Sequence, residues 1–271
     1  MFDLTERVVL ITGGCGLLGV KHAEAILEFG GEVILADIIS EEEREKVVTS
    51  LRKKYDDPIW PPKITSVYMD VTDKALIQRA VDKYNKIDVL INNAAIDPKV
   101  EKGLGWKNKF EHLELDSWNK TIEVTLTGTF LCTQVVVNKM LSTGLESEYC
   151  REGGVILNIA SDLSIISPDQ RIYGDGAKPV SYGVTKAGVV NLTKYLATYL
   201  AKKNIRVNSL SPAGVYNNQP DEFVTKLSNL TPMGRMAKVD EYKAAIIFLL
   251  SDASSYMTGQ NLVIDGGRTC W

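Results

Sequence analysis

Residues 7–19 of the chain read RVVLITGGCGLLG, and this stretch decides the fold class. Arg7–Thr12 is a short β-branched run, apolar apart from its first and last residues, as expected of a strand that is buried on both faces of a parallel sheet. A glycine-rich turn follows, and Leu17–Phe29 reads as a helix that ends at two glycines. A strand, a glycine turn and a helix in this order predict the first unit of an α/β sheet.

The alternation of strands and helices continues along the chain. EVILAD (Glu32–Asp37) is a second strand, and Ser40 is placed to cap a charged helix that begins with glutamates. Such alternation predicts an α/β protein with a doubly wound parallel sheet, a Rossmann fold, and helices on both faces. No repeat, low-complexity tract or linker interrupts it, so a single domain is predicted over residues 1–271. The further strands are predicted at Lys63–Tyr68, Ile87–Asn92, Gly154–Ile159, Ile205–Ser211 and 261–264, and the further helices at Lys74–Tyr84, Asp116–Met140, around Tyr182 and at Glu241–Leu250.

Composition and charge narrow the classes of function. With 271 residues, 45% of them hydrophobic and 24% charged, the chain is an ordinary globular one that can bury a sizeable core. A net charge of −3 gives no reason to expect nucleic-acid or membrane binding, and no apolar run approaches the roughly 20 residues of a membrane span. Four scattered cysteines (Cys15, Cys132, Cys150, Cys270) predict reduced thiols in a cytoplasmic protein. The two histidines have no partners at metal-ligand spacing, so no metal site is expected, and His22 is expected on the surface of the first helix.

The glycine turn is a candidate site for a dinucleotide. Glycines let the backbone approach a diphosphate, whose charge is met by the amides of a helix N-terminus, and Gly13, Gly16 and Gly19 have the spacing for this between a strand and a helix. A turn without a ligand is the alternative, which that context disfavours. Asp37 closes the second strand about twenty residues further on, where a carboxylate can accept bonds from both ribose hydroxyls and repel a 2′-phosphate. No arginine sits beside Asp37, so the sequence predicts NAD rather than NADP.

Tyr182 and Lys186 in the run VSYGVTKAG form a candidate proton-transfer site, although a chance pair on an amphipathic helix is the alternative. Positions i and i+4 share a helix face, so both side chains are expected in one cleft. A free tyrosine has a pKa of about 10, and a nearby ammonium and a positive nicotinamide are expected to lower that pKa. Tyr182 then removes the proton of a substrate hydroxyl while a hydride moves to the nicotinamide, with the reverse in reduction. Ser161, just past the strand GVILNIAS, is expected to hydrogen-bond the reacting oxygen.

Taken in order, these motifs resemble those of the short-chain dehydrogenase/reductase family, in its compact single-domain branch, over nearly the whole chain. The resemblance rests on TGGCGLLG at 12–19, Asp37, Asp70-Val71, Asn92-Asn93-Ala94-Ala95, Ser161, Tyr182-x-x-x-Lys186, Asn208 to Gly214, and TGQNLVIDGG near the end. It implies that Asn92 supports the central strand and the cofactor's ribose, and that Lys186 also binds the nicotinamide ribose. The residues it places at the cofactor are Gly13, Cys15, Gly16, Leu17, Leu18, Gly19, Asp37, Ile38, Asp70, Val71, Asn93, Ala94, Ala95, Tyr182, Lys186, Pro212, Gly214 and Val215.

The chain departs from the family pattern in three places. Its glycine spacing, TGxxGxxG, is similar to that of the longer branch, and Leu17 stands where the compact branch usually has glycine. Thr125, in EVTLTGTF, stands where the family usually has an asparagine that ties a water to the catalytic lysine, and its hydroxyl is expected to replace part of that link. Ser161 and Tyr182 lie 21 positions apart, which implies an insertion between them.

The insertion and a second polar segment are the candidate substrate region. Leu163 to Ser181 is polar, carries Arg171, and follows Ser161 directly, so it is expected to form part of the substrate mouth. Asn217, Asn218 and Gln219 follow the predicted nicotinamide segment and suit a polyhydroxylated substrate. Solvated loop residues are the alternative. The runs DLSIISPDQRIY and VYNNQP also resemble dehydrogenases of surface-glycan and flagellin modification, which favours a sugar-like alcohol.

The sequence therefore predicts an NAD-dependent oxidoreductase that transfers a hydride between a secondary alcohol or ketone of a sugar-like small molecule and the nicotinamide. A carbonyl reductase of a non-sugar, acyl-type ketone is one alternative. An NAD-binding sensor with weak or no catalysis is another, motivated by Thr125. The family usually assembles as dimers or tetramers through its long helix and its tyrosine-bearing helix, so a homo-oligomer is expected.

Overall fold

The structure, a computed structural model, describes residues 1–56, 58, 61–98, 105–143 and 153–271, so Cys150 lies outside the described residues. The described residues form a seven-stranded sheet in the order β3-β2-β1-β4-β5-β6-β7, and every pairing in it is parallel. The sheet order changes direction beside β1, which confirms the predicted doubly wound α/β fold. The strands are β1 (Val8–Thr12), β2 (Glu32–Asp37), β3 (Ile64–Tyr68), β4 (Val89–Asn92), β5 (Gly154–Ile159), β6 (Ile205–Pro212) and β7 (Asn261–Ile264).

Helices cover both faces of this sheet because its strands are apolar on both sides. Val9 and Ile11 of β1 pack in one core cluster with side chains of α1, α2 and α8, and Val8 and Leu10 pack in another with α3, α5 and α6. No described helix combines the length and apolarity needed to cross a membrane. The helices are α1 (Leu17–Glu28), α2 (Glu41–Lys54), α3 (Lys74–Val81), α4 (Leu115–Ile122), α5 (Gly128–Ser142), α6 (Val180–Leu200), α7 (Asp221–Asn229) and α8 (Lys243–Leu250).

The predicted long helix over 116–140 is present in extent, but it is not α-helical throughout. A π-helical segment, Glu123–Thr127, separates α4 from α5. At this point the Thr129 hydroxyl donates to the Thr125 carbonyl at 2.7 Å, the kind of side-chain bond that bends a helix. A Cβ on Gly128 would lie 2.8 Å from a methyl of Val71, so the chain passes very close to the segment that follows β3. Such a π-helical segment commonly marks a functional region.

A buried polar ladder fixes two helices against the centre of the sheet. The Asn92 amide donates to Thr133 Oγ1 at 2.9 Å and to Asn158 Oδ1 at 2.8 Å, and the Asn158 amide donates to Thr193 Oγ1 at 2.8 Å. All four side chains are buried, where such bonds are costly to leave unmade. The ladder therefore ties α5 and α6 to β4 and β5, in agreement with the predicted role of Asn92.

Two smaller expectations have opposite outcomes. Ser40 forms the predicted N-cap of α2, as a capping box in which its side chain accepts from the Glu43 amide. His22 is not on the surface: it is 1% exposed, on the side of α1 that packs inward, and burial lowers its pKa to about 4. Burial disfavours the imidazolium and outweighs a hydrogen bond with the Asn93 side chain, so His22 is neutral near pH 7.

Candidate active site

A cavity of about 670 Å³ opens at the carboxyl ends of the central strands, where ligands bind in open α/β sheets. Nineteen of the site residues predicted from the sequence line it: Gly13, Gly16, Leu17, Leu18, Asp37, Ile38, Asp70, Val71, Asn93, Ala94, Ala95, Ser161, Tyr182, Lys186, Pro212, Gly214, Val215, Asn217 and Gln219. Five lie outside its lining: Cys15, Gly19, Thr125, Arg171 and Asn218.

The glycine turn fits a dinucleotide because its glycines allow the backbone to pack tightly and to approach a ligand closely. Gly13 has a φ of +58°, a conformation that residues with a Cβ rarely adopt. A Cβ on Gly19 would stand 2.4 Å from the Gly13 carbonyl oxygen. Gly19 is therefore packed inside the turn and does not line the cavity. Gly16 is the N-cap of α1 and contributes no capping side chain, which leaves the first amides of α1 available to an anion.

Asp37, the last residue of β2, lies beside this turn, and backbone amides hold its carboxylate. Its Oδ2 accepts from the Cys15 amide at 3.0 Å, and its Oδ1 accepts from the Ile38 amide at 2.8 Å. Cys15 therefore contributes through its backbone, since its side chain lies outside the lining. Burial, together with the charge of Asp37, raises the pKa of the Cys15 thiol to about 11, so the thiol is un-ionised near neutral pH.

The first two turns of α6 place Tyr182 and Lys186 in the same cavity. Lys186 is 3% exposed, and its Nζ donates to the Ile159 carbonyl at the end of β5 at 2.6 Å. Burial lowers the pKa of Lys186 to about 8, against the opposing charge of Asp97. The same Nζ lies 5.9 Å from the centroid of the Tyr182 ring, so a cation stands beside the phenol.

In the protein without a bound cofactor, several groups act on the pKa of Tyr182. Burial raises the pKa of Tyr182, and the charge of Asp97 raises it further, while a hydrogen bond with Ser161 opposes them. The predicted lowering of this pKa includes the charge of a bound nicotinamide and stays a prediction.

An ion pair that the sequence motifs did not single out lies over the tyrosine. Lys178 is bonded to Asp97, 81 positions away in the chain, and its Nζ lies 4.4 Å from the Tyr182 ring centroid. Both members line the cavity. Gln170 holds the backbone of Lys178, because its Oε1 accepts from the Lys178 amide at 2.9 Å. The insertion between Ser161 and Tyr182 thus contributes to the cavity, as expected.

Ser161 is bound to a carboxylate that is itself paired. Its Oγ donates to Asp162 Oδ1 at 2.8 Å and accepts from the Leu163 amide at 3.2 Å. The other carboxylate oxygen, Oδ2, lies 2.7 Å from Nη1 of Arg268, near the end of the chain. Sequence reasoning missed both charged residues. Asp162 directly follows the serine in IASDLS and was a usable signal, whereas nothing in the tail pointed to Arg268.

Thr125 is buried in the π-helical segment and holds the loop after β4. Its Oγ1 accepts from the Ile96 amide at 3.2 Å. Among the described residues this bond is to the loop and not directly to Lys186. The predicted link from Thr125 to the lysine runs through a water and stays a prediction.

Of the predicted substrate residues, two line the cavity and two do not. Gln219 Nε2 donates to the Val215 carbonyl at 2.8 Å, and Gln219 Oε1 accepts from the Asn217 amide at 2.7 Å, which braces this edge. Arg171 points away: its side chain is 86% exposed and paired with Asp169. Asn218 forms the turn itself, with a φ of +56°. Within the described ranges, no group of three or more His, Cys, Asp or Glu side chains is arranged to hold a metal ion.

Comparisons with known proteins agree with this geometry. A family model described as enoyl-(acyl carrier protein) reductase matches residues 17–269. The chain is 33% identical over 277 residues to an NAD-dependent glycerol dehydrogenase of Listeria innocua, covering 99% of this chain and 96% of the relative. It is 33% identical over 273 residues to a 3-oxoacyl-[acyl-carrier-protein] reductase of Thermotoga maritima, covering 97% and 98%.

Among solved structures, a gluconate 5-dehydrogenase of Burkholderia cenocepacia in complex with NADP and tartrate superposes with a TM-score of 0.81 at 28% identity, covering 100% of this chain and 98% of that one. The match extends over the whole sheet and the cavity at its carboxyl edge. Together with the family model and the relatives, it shows that the chain belongs to the short-chain dehydrogenase/reductase family and is an oxidoreductase.

Proposed function

We propose that the protein is an NAD-dependent dehydrogenase that oxidises a secondary alcohol of a polyhydroxylated, sugar-like small molecule, or reduces the corresponding ketone. The observation that carries this proposal is that Ser161, Tyr182 and Lys186 line one cavity with the glycine turn and Asp37. The whole chain acts as one catalytic domain in this proposal.

In the proposed mechanism, Tyr182 exchanges the proton and the residues around it control its charge. A bound nicotinamide supplies the hydride acceptor in oxidation and the hydride donor in reduction. The Tyr182 Oη takes the hydroxyl proton of the alcohol as the carbonyl forms, and it returns a proton to the carbonyl oxygen in the other direction. Ser161 hydrogen-bonds the reacting oxygen, and Lys186 favours the phenolate and binds the cofactor ribose.

The preference for NAD rests on Asp37. Its carboxylate, held by two backbone amides, can accept hydrogen bonds from the adenosine ribose hydroxyls, and its charge disfavours a 2′-phosphate. The glycerol dehydrogenase relative is named as NAD-dependent, which supports this reading, whereas the gluconate 5-dehydrogenase neighbour holds NADP.

The sugar-like substrate rests on the polar groups at the cavity mouth. Asp97 and Lys178, which are bonded to each other, lie beside the tyrosine, and Asn217 and Gln219 line the same cavity. Polar groups in a lining suit the hydroxyl groups of a polyol. The glycerol dehydrogenase relative supports a polyol, and the 3-oxoacyl reductase relative supports the alternative, an acyl-type ketone.

We further propose a homo-oligomer and a reducing, cytoplasmic location. Tyr195 and Tyr199 of α6 are 63% and 58% exposed and stack with ring centroids 6.1 Å apart, an apolar face that suits a second copy. Light scattering after size-exclusion chromatography tests the assembly.

Free thiols at Cys15, Cys132 and Cys270 are in keeping with a reducing compartment.

The experiment that tests the function follows the absorbance of reduced nicotinamide with NAD⁺ and, separately, NADP⁺, across glycerol, threitol, gluconate and nucleotide sugars, with 3-oxoacyl thioesters in the reducing direction. We expect turnover with NAD⁺ and a polyol or sugar acid, and a loss of about 10²- to 10⁴-fold in Tyr182→Phe. NAD binding without turnover of any compound would favour the sensor alternative. Turnover confined to acyl thioesters would favour the carbonyl reductase.

A further inference from the structure

A buried ion pair ties the end of the chain to the loop after β5. The side chains of Arg268 and Asp162 are 6% and 4% exposed, and their charged atoms lie 2.7 Å apart although the residues are 106 positions apart in the chain. The turn that carries Arg268 is itself held down, since the Trp271 indole donates to the Leu230 carbonyl at 3.2 Å. Burying two charges has a large desolvation cost, so this pair calls for a specific explanation.

The pair touches the proposed catalytic machinery at Ser161. One oxygen of the Asp162 carboxylate accepts from the Ser161 hydroxyl at 2.8 Å and from the Leu163 amide at 2.9 Å, and the other accepts from Arg268. Each carboxylate oxygen is thus satisfied from a different element of the fold. Arg268 and Asp162 both line the cavity that holds Tyr182.

We propose that Arg268 is a positioning residue that acts through Asp162: its guanidinium fixes the carboxylate that orients the Ser161 hydroxyl, and it balances the charge of that carboxylate in the cavity that Tyr182 lines. This proposal rests on the proposed function of Tyr182. It extends the active site to the last turn of the chain, because the charge next to the serine is balanced only when that turn is docked.

The charges that face the tyrosine come from several elements. The loop after β4 contributes Asp97, the insertion contributes Tyr173 and Lys178, and α6 contributes Lys186. Asp162 belongs to the same set, because its charge raises the pKa of Tyr182 after the larger effects of burial and Asp97. Arg268 acts in the opposite direction on the neighbouring Tyr173. Burial raises the pKa of Tyr173, and the charge of Arg268 lowers it. The guanidinium and the carboxylate therefore have opposite effects on the phenols of this cavity.

These opposite effects separate electrostatic positioning from a merely structural tether. Arg268→Met leaves the Asp162 carboxylate without its counter-charge and is expected to raise the pKa of Tyr182. Asp162→Asn leaves the guanidinium without its partner and is expected to lower that pKa. A tether that only holds the fold together predicts shifts in the same direction for both variants, since either substitution breaks it.

The test is a titration that needs no substrate. Protein labelled with ¹³Cζ-tyrosine is titrated by NMR with saturating NAD⁺ from about pH 6 to about pH 10.5, a range that spans the usual ionisation of tyrosine. The Tyr182 resonance is assigned by its loss in Tyr182→Phe. We expect the midpoint to move up by about half a unit or more in Arg268→Met and down by a similar amount in Asp162→Asn.

Three controls keep the result decisive. Arg268→Lys retains the charge and should keep the midpoint near that of the wild type. The double variant Asp162→Asn/Arg268→Met lacks both charges, so its midpoint should also lie near that of the wild type. This control holds even if Arg268→Met alone folds poorly. Arg235→Met breaks a pair with Glu241 at a partly exposed site and should leave it unchanged.

Shifts in the same direction, no shift in either single variant, or no titration of Tyr182 in wild type and Asp162→Asn alike would overturn the inference. Because the readout is a midpoint and not a rate, an absence of turnover would count against the proposed function alone. If an active substrate is found, Arg268→Met should reduce the turnover rate far more in the wild type than in Ser161→Ala, since its effect passes through the serine.

Discussion

At the scale of single residues, the proposed chemistry depends on a phenol that the protein alone keeps protonated. Burial raises the pKa of Tyr182, and Asp97 adds to that effect, while two lysines lie over or beside the ring. In the proposed mechanism, a cationic nicotinamide bound next to the phenol would lower that pKa, so catalysis would depend on cofactor binding through electrostatics.

Asp97→Asn tests this balance through the pH dependence of the reaction. The Asp97 carboxylate raises the pKa of Tyr182, so its removal should lower that pKa and make the phenolate available at lower pH. We expect the acid limb of kcat/KM for alcohol oxidation to move down by about half a unit to one unit, a modest shift because the Asp97 side chain is exposed. Asp175→Asn, an exposed carboxylate in the insertion, is the matched control and should leave the limb in place. A shift to higher pH in Asp97→Asn would contradict this account.

A second prediction at this scale concerns cofactor choice. Asp37→Asn keeps the size of the side chain but removes the charge that disfavours a 2′-phosphate. We expect the ratio of NADPH to NADH dissociation constants to fall by about ten-fold or more. Calorimetric titration with each cofactor measures it, and Asp73→Asn, the N-cap of α3, is the control that should leave the ratio unchanged. Equal affinity of the wild type for both cofactors would rule out the proposed role of Asp37.

At the scale of elements, the turn between β1 and α1 works by close packing of backbone. Gly19→Ala places a Cβ 2.4 Å from the Gly13 carbonyl oxygen, so the turn must shift, whereas a Cβ on Gly16 meets the same oxygen at 3.3 Å. We expect Gly19→Ala to lower the free energy of unfolding by about 1–3 kcal/mol and to weaken NAD⁺ binding at least ten-fold. Gly16→Ala should stay within about 0.5 kcal/mol of wild type in chemical denaturation. Equal stabilities of the two variants would be inconsistent with this packing.

Elements with strong local signals were predictable, and those shaped by their neighbours were not. β2 has the predicted bounds, Glu32–Asp37, because a short β-branched run between turn residues is sufficient to specify a buried strand. The break at Glu123–Thr127 was not predicted, since it depends on where the chain passes Val71 and on a threonine bond to the backbone. α7 was not predicted either, because its short amphipathic pattern buries only Leu227.

At the scale of the whole molecule, an ion cluster joins α1, α2 and α8. Burial alone would raise the pKa of Glu24, but hydrogen bonds from Lys54, Lys243 and Lys21 outweigh burial and lower the pKa to about 2. A folded-state pKa below the unfolded one contributes stability that is present above the unfolded pKa and is lost as the pH falls through the folded value. The cluster is therefore expected to stabilise the fold above about pH 4.5.

Glu24→Gln should accordingly lower the free energy of unfolding by roughly 1–3 kcal/mol at neutral pH, and this difference should shrink as the pH falls from about 4.5 towards 2. Denaturation curves at several pH values measure it. Glu222→Gln, which loses only an exposed pair with Lys226, is the matched control and should show little change at any pH. A difference that stays constant with pH would point to packing and not to charge.

The candidate site was predictable where its residues lie in motifs. The glycine turn, Asp37, Ser161, Tyr182 and Lys186 all reach one cavity, because parallel strands end at the same edge of the sheet and a helix brings i and i+4 together. Arg171 and Thr125 were assigned from composition and family position, and their side chains bond elsewhere. A residue type in a loop does not specify which way its side chain points.

The order of the strands and of the longer helices, the glycine turn and the positions of the motif residues could be read from the chain alone, because they depend on neighbours in the sequence. The pairings of Lys178 with Asp97 and of Arg268 with Asp162 span 81 and 106 positions, so they follow only from the folded structure. The rise in the pKa of Tyr182 that burial and Asp97 cause likewise depends on tertiary packing. Desolvation and long-range ion pairs arise from how elements pack, and no local pattern in the sequence records that packing.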